Sequence, residues 1–161
     1  MDSWYLSYFM DTTEEERARG KTVSCGHGLF QTEKRFYYLI DAPGHQKYIT
    51  EMISGSSYAE VAIMVISART GEFEAGFVKN GQTKEHTLLV RTSGVTKMIV
   101  FVNKLELSDW SKERFDEIVS KYTPFLKRLM FDVKKDIFFI PGSGYSGANI
   151  QKNEGVCPWY T

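Results

Sequence analysis

Four uninterrupted apolar runs punctuate the chain: Phe36 to Ile40, Val61 to Ile66, Met98 to Val102 and Ile137 to Ile140. Each has the length of a strand. An unbroken apolar run, unlike an alternating one, suits a central parallel strand covered on both faces. The first run also forms the second arm of a predicted β-hairpin, with strands at 23–31 and 35–40 and a turn near Glu33 and Lys34. Helical periodicity falls between the runs, at about 45–55, 82–93 and 111–131. Pro124 lies inside the last segment and is expected to kink or divide it. Trp4, Tyr5, Tyr8 and Phe9 fall at helical spacing and predict a short opening helix, followed by a mobile, exposed polar stretch from Asp11 to Lys21. Strands alternating with helices in this way predict an α/β fold with a doubly wound, mostly parallel sheet.

Composition narrows the function more than the fold. The 161 residues suffice for one domain with a real core, and 42% are hydrophobic. Twenty basic side chains balance twenty acidic ones, so there is no polybasic footprint for autonomous nucleic-acid binding or for an anionic membrane. Cys25 and Cys157 are far apart and make no metal-like pair, which suits reduced thiols in a cytoplasmic protein. The apolar run from Val61 to Ile66 is too short to span a bilayer, and the first residues carry no signal-peptide pattern.

Ligands of doubly wound sheets bind beyond the carboxyl ends of the strands. The segments there are Asp41 to His45, Asn103 to Glu106 and Gly142 to Tyr145. All three are polar and turn-like. An Asp at a strand end is placed to hold a water of Mg2+, which keeps several waters and needs few carboxylates. Gly44 would let a backbone N–H approach a phosphate closely. Asn103, Lys104 and Glu106 offer an amide, an aliphatic stem and a carboxylate, the three groups that a purine edge and face require. Glu106 stands where the usual guanine-reading tetrapeptide has Asp, and carries its carboxylate one methylene further out. Ser143 and Gly144 could turn backbone N–H groups toward a base carbonyl. His86 and His27 read as packing or structural residues.

In order and spacing these three segments match the later nucleotide-binding motifs of GTPases. With histidine in Asp41-Ala42-Pro43-Gly44-His45, the chain resembles the translational GTPases. Gly71 to Phe77 and Gly81 to His86 are similar to elongation factor one-alpha and its relatives. Asp2 to Tyr8, Asp11 to Arg17, Val65 to Arg69, Trp110 to Arg114, Ser143 to Asn149 and Cys157 to Tyr160 resemble the eukaryotic class II peptide chain release factors most. The resemblance covers essentially the whole chain. It implies a P-loop-type G domain that binds GTP or GDP with Mg2+, with a class I release factor and the ribosome as partners of the full-length protein. Residue by residue, it implies Thr22 and Asp41 at the metal, Gly44 as the amide that senses the γ-phosphate, and His45 positioning the attacking water. It places Asn103, Lys104, Glu106, Ser143 and Gly144 around the base.

The phosphate cradle of such proteins, Gly-x-x-x-x-Gly-Lys followed by Ser or Thr, finds no match in these residues. Gly20-Lys21-Thr22 imitates its end, but position 15 is Glu15, and a hairpin rather than a helix follows. The triplet therefore belongs with the first switch. The expectation is a partial G domain over 1–161, with the first strand, the phosphate loop and the family's two β-barrels falling outside it. Three functions stay open: a termination GTPase needing residues beyond this chain to hydrolyse GTP, a non-catalytic interaction module on the same fold, and the G domain of an elongation or ribosome-rescue factor.

Overall fold

The computed structural model describes residues 25–43, 59–78 and 81–160. The chain falls into two compact units, Met1–Ala59 and Glu60–Thr161. The predicted opening helix, the helix at about 45–55, and the site residues Thr22, Gly44 and His45 lie outside the described residues.

In the first unit, β1 (Gly26–Gln31) and β2 (Phe36–Asp41) form an antiparallel ribbon with Leu29 opposite Tyr38 and Phe30 opposite Tyr37. The Thr32 side chain closes the turn, because its Oγ1 accepts from the backbone N–H of Arg35 at 3.2 Å. Stacked rings lie along both faces of the ribbon: His27 with Tyr38, and Phe30 with Tyr37. The Tyr38 hydroxyl is 2.8 Å from His27 Nδ1, which gives His27 a structural partner, as expected. The expectation of a parallel strand covered on both faces fails for Phe36 to Ile40. β2 pairs with β1 alone among the described residues, and Phe36, Tyr38 and Leu39 stay exposed.

The second unit is built on a parallel sheet in the order β3 (Val61–Ser67), β4 (Lys97–Asn103), β5 (Ile137–Pro141). The register sets Ile63 beside Ile99 and Ile99 beside Phe138, so alternate residues of all three strands share a face. On one face Met64, Ile66, Met98, Val100, Val102 and Ile137 are buried. They pack with residues of α1 (Glu72–Phe77) and α3 (Lys112–Arg128), while α2 (Gln82–Thr92) completes the helical layer. On the other face Val61, Ile63, Val65 and Phe138 are exposed, so the apolar runs at β3 and β5 are covered on one side only among the described residues.

Helix α3 supplies the largest share of helical packing. Its N-cap is Ser111, whose hydroxyl accepts from the N–H of Arg114 at 3.1 Å. Phe115, Ile118, Tyr122 and Leu126 recur at spacings of three and four and are all buried. Of the two outcomes expected at Pro124, a kink or a break, the helix shows no break and runs continuously through it. Tyr122 and Leu126 anchor it to the core on either side of the proline. Ser120, whose carbonyl loses its helical partner, is exposed, so water can take that bond.

The core admits one buried polar pair. Thr87 Oγ1 donates to Thr83 O at 2.5 Å and accepts from the Tyr122 hydroxyl at 2.6 Å, joining α2 to α3. Burial pushes the Tyr122 phenol well above its ordinary pKa, so it stays a donor at every physiological pH. Because Thr87 keeps its own acceptor, Tyr122→Phe should cost only about 1 kcal/mol of unfolding free energy in urea titration. Ile118→Ala, which opens a cavity in the fully buried layer, should cost about 2–4 kcal/mol in the same assay.

Candidate nucleotide-base site

The carboxyl ends of β3, β4 and β5 are stitched together by the backbone. Ala68 N donates to Asn103 O at 2.7 Å, and Gly142 N donates to Val102 O at 3.0 Å. Asn103, the last residue of β4, adds a side-chain bracket across this edge. Its Oδ1 accepts from the N–H of Lys104 and from the N–H of Gly144, both at 2.8 Å. One carbonyl thus ties the β4 and β5 loops together and leaves the Asn103 amide group as a donor.

The chain turns sharply after this bracket. Lys104 is left-handed at φ 62°, a conformation that non-glycine residues hold only where their surroundings enforce it. A short 3-10 helix, Leu105–Ser108, follows, with Leu105 fully buried beneath it. Glu106 sits in this turn, and its Oε2 is buried without a hydrogen-bond partner. A buried carboxylate oxygen is costly to leave unpaired, so Glu106 is the unsatisfied acceptor of this edge.

The β5 loop is equally constrained. A Cβ at Gly142 would run into the Phe101 ring, which would have to move to admit any larger residue. Ser143 is fully buried; its N–H donates to Ala148 O at 3.1 Å, and its hydroxyl accepts from Ser146 N at 3.2 Å. Asn149, left-handed at φ 60°, closes the loop by donating through Nδ2 to Pro141 O at 3.2 Å.

Asn103, Lys104, Ser143 and Gly144 are therefore brought together, with Glu106 in the same turn. Asp41 ends β2 in the first unit, half-buried. The sequence reading overlooked Glu72, the first residue of α1. Its Oε2 lies 2.8 Å from Lys104 Nζ, and its Oε1 accepts from Arg69 Nη1 at 3.2 Å. The signal in the sequence was the string Gly71 to Phe77, which contains Glu72 without singling it out. The loop that carries it is clamped by Arg114 of α3, which donates to Ala68 O at 2.8 Å and to Glu74 at 2.8 Å while lying over Phe73.

The sequence matches the family described as the elongation factor Tu GTP binding domain over residues 3–155. It is 52% identical over 162 aligned positions to the eukaryotic peptide chain release factor GTP-binding subunit of Kluyveromyces lactis, covering 98% of this chain and 23% of that protein. Against the subunit of the same name from Schizosaccharomyces pombe the identity is 48%, covering 99% and 25%. The chain thus spans about a quarter of the length of the curated relatives it matches. Among solved structures it resembles sup35 complexed with GMPPNP, with a TM-score of 0.71, 38% identity, and coverage of 98% and 36%. It also resembles the S. cerevisiae Ski7 GTPase-like domain bound to GDP and inorganic phosphate, with a TM-score of 0.77, 27% identity, and coverage of 92% and 34%.

The ion pairs on α1 make this edge acid-sensitive. The Lys104 hydrogen bond holds the Glu72 carboxyl down to about 2, and the Arg114 hydrogen bond does the same for Glu74, against an ordinary 4.5. Both folded values lie below the unfolded one. Their stabilisation is therefore full above about pH 4.5 and disappears as the pH falls from there toward 2. Urea midpoints measured across that window should fall more steeply with acid for the wild type than for Glu74→Gln, and the two curves should converge near pH 2.

Proposed function

The chain belongs to the elongation factor Tu GTP binding domain family, and from that premise we propose that it is the guanine-reading part of a translation termination GTPase. The observation that carries the reading is the bracketed pair of loops beside an unpaired, buried carboxylate oxygen at Glu106. Guanine presents a ring N–H and an exocyclic amine on one edge, and a carbonyl and a ring nitrogen on another. Glu106 accepts from the first edge. The free amide group of Asn103 donates to the ring nitrogen. The backbone N–H groups expected from the Ser143–Gly144 turn are already taken, Ser143 N–H by Ala148 O and Gly144 N–H by Asn103 Oδ1, so this turn shapes the loop rather than pairing the carbonyl. The methylene stem of Lys104 lies along the base plane. Adenine presents an acceptor where Glu106 needs a donor and is rejected, because a site built of buried polar groups penalises a ligand that leaves them unpaired.

GTP or GDP fits this donor and acceptor set through its base. For Mg2+, the reading assigns Asp41 and Thr22 as the residues that would hold the ion, and Gly44 as the amide that would sense the γ-phosphate. His45 would orient the attacking water, in a reaction where positioning and electrostatics supply most of the rate. No Gly-x-x-x-x-Gly-Lys followed by Ser or Thr occurs in these residues, so the reading rests on the base rather than on the phosphates. In the whole protein, the class I release factor and the ribosome supply the setting, in the cytoplasm. No helix among the described residues is long and apolar enough to cross a membrane.

GMP and AMP separate base recognition from phosphate affinity, because both carry the same phosphate. In amide-resolved NMR titrations, GMP should shift Lys104, Glu106 and Gly144 and bind at least about tenfold more tightly than AMP, the worth of one well-made bidentate pair. Glu106→Gln, which turns one acceptor into a donor, should erase that preference. Equal response to the two nucleotides would refute the reading.

A further inference from the structure

Lys104 is fixed at both ends. Its backbone is held left-handed by the bond from its N–H to Asn103 Oδ1, and its Nζ is held by Glu72, 32 residues earlier in the chain. Glu72 is not a free surface acid that happens to be near. Arg69 holds its other oxygen, and Arg114, only 10% exposed, fastens to α3 both the loop before Glu72, through Ala68 O, and α1 itself, through Glu74. The segment from Ala68 to Glu74 is thus tied to the core helix through Arg114 and to the tip of the lysine through Glu72.

An extended lysine stem is a flat apolar strip, but a free lysine has much rotamer freedom to lose before it becomes one. A side chain stretched in advance between two fixed points has already lost much of that freedom, and a ligand lying against it binds more tightly for that reason. We propose that Glu72 is a positioning residue for base recognition, holding the Lys104 side chain extended across the base site. The proposal rests on the guanine-reading function argued above. It adds that affinity for the base depends on a residue of α1 that does not touch the base.

The test is a double-mutant cycle on the full chain, with GMP affinity read from the Gly144 amide shift. Glu72→Gln should weaken GMP by roughly threefold to tenfold, the size expected for one rotamer-rich side chain left mobile. Lys104→Met keeps an apolar stem but removes the charge, so in that background Glu72→Gln should have no further effect. A loss that is equal in both backgrounds overturns the proposal, because Glu72 would then act without Lys104. An unchanged GMP affinity in the single variant overturns it as well. If the wild type fails to prefer GMP over AMP, the base reading itself falls, and the role of Glu72 falls with it. A wild type with that preference and an indifferent Glu72→Gln refutes the role of Glu72 alone.

Discussion

The Asn103 side-chain carbonyl accepts two backbone N–H groups at once, from its own successor and from Gly144, 41 residues later. Most of the site's geometry depends on that double bond. Asparagine suits the position because its reach is short and rigid. Aspartate would keep the acceptor but lose the amide donor, and glutamine would push the acceptor past the loop. With the β4 and β5 loops tied together, Lys104 is held left-handed and the 3-10 turn brings Glu106 round to the same edge. A Cβ at Gly144 would meet Asn103 Oδ1 at 3.4 Å, so glycine keeps the approach comfortable without being strictly required.

The bracket works because the sheet beneath it is rigid. Met98, Val100 and Val102 are fully buried under α3, whose Ile118, Tyr122 and Leu126 are equally excluded from water. Burial at this level makes the strand ends poor places for motion, since any shift opens space in a close-packed layer. Arg114 extends the same rigidity sideways to α1. The chain from 153 to 160 adds a clasp: Trp159 Nε1 donates to Trp110 O at 3.0 Å, and the Tyr160 hydroxyl donates to Phe139 O at 2.9 Å. The residues singled out at the end of the chain, Cys157 to Tyr160, are thus packing residues of the second unit, and the Cys157 thiol is pushed up by burial.

The three parallel strands were legible because continuous apolar runs of six, five and four residues, 61–66, 98–102 and 137–140, have few other uses, and their boundaries agree within one residue. What covered each face was not legible. A run such as Val61 to Ile66 looks the same whether one side or both is packed, and here Ile63 is 60% exposed. The six-residue α1 escaped the periodicity reading because it is too short to show a repeat and contains Gly76. Pro124 misled in the opposite direction, since local propensity yields where buried neighbours hold the path. In the site, the order of Asn103 and Ser143–Gly144 along the chain sufficed to predict that they meet. Glu72 could not be found that way, because an ion pair between side chains 32 residues apart leaves no mark in local pattern.

Amide hydrogen exchange tests the bracket most directly, with no ligand needed. If Asn103 Oδ1 holds both loops, the Lys104 and Gly144 amides of the wild type exchange far more slowly than an unstructured chain. Asn103→Ala should release those two protons by orders of magnitude while the amides around Ile118 and Tyr122 keep their protection. Fast exchange at Gly144 in the wild type, or protection at Lys104 and Gly144 that survives Asn103→Ala, would contradict the claim that this one side chain organises the site.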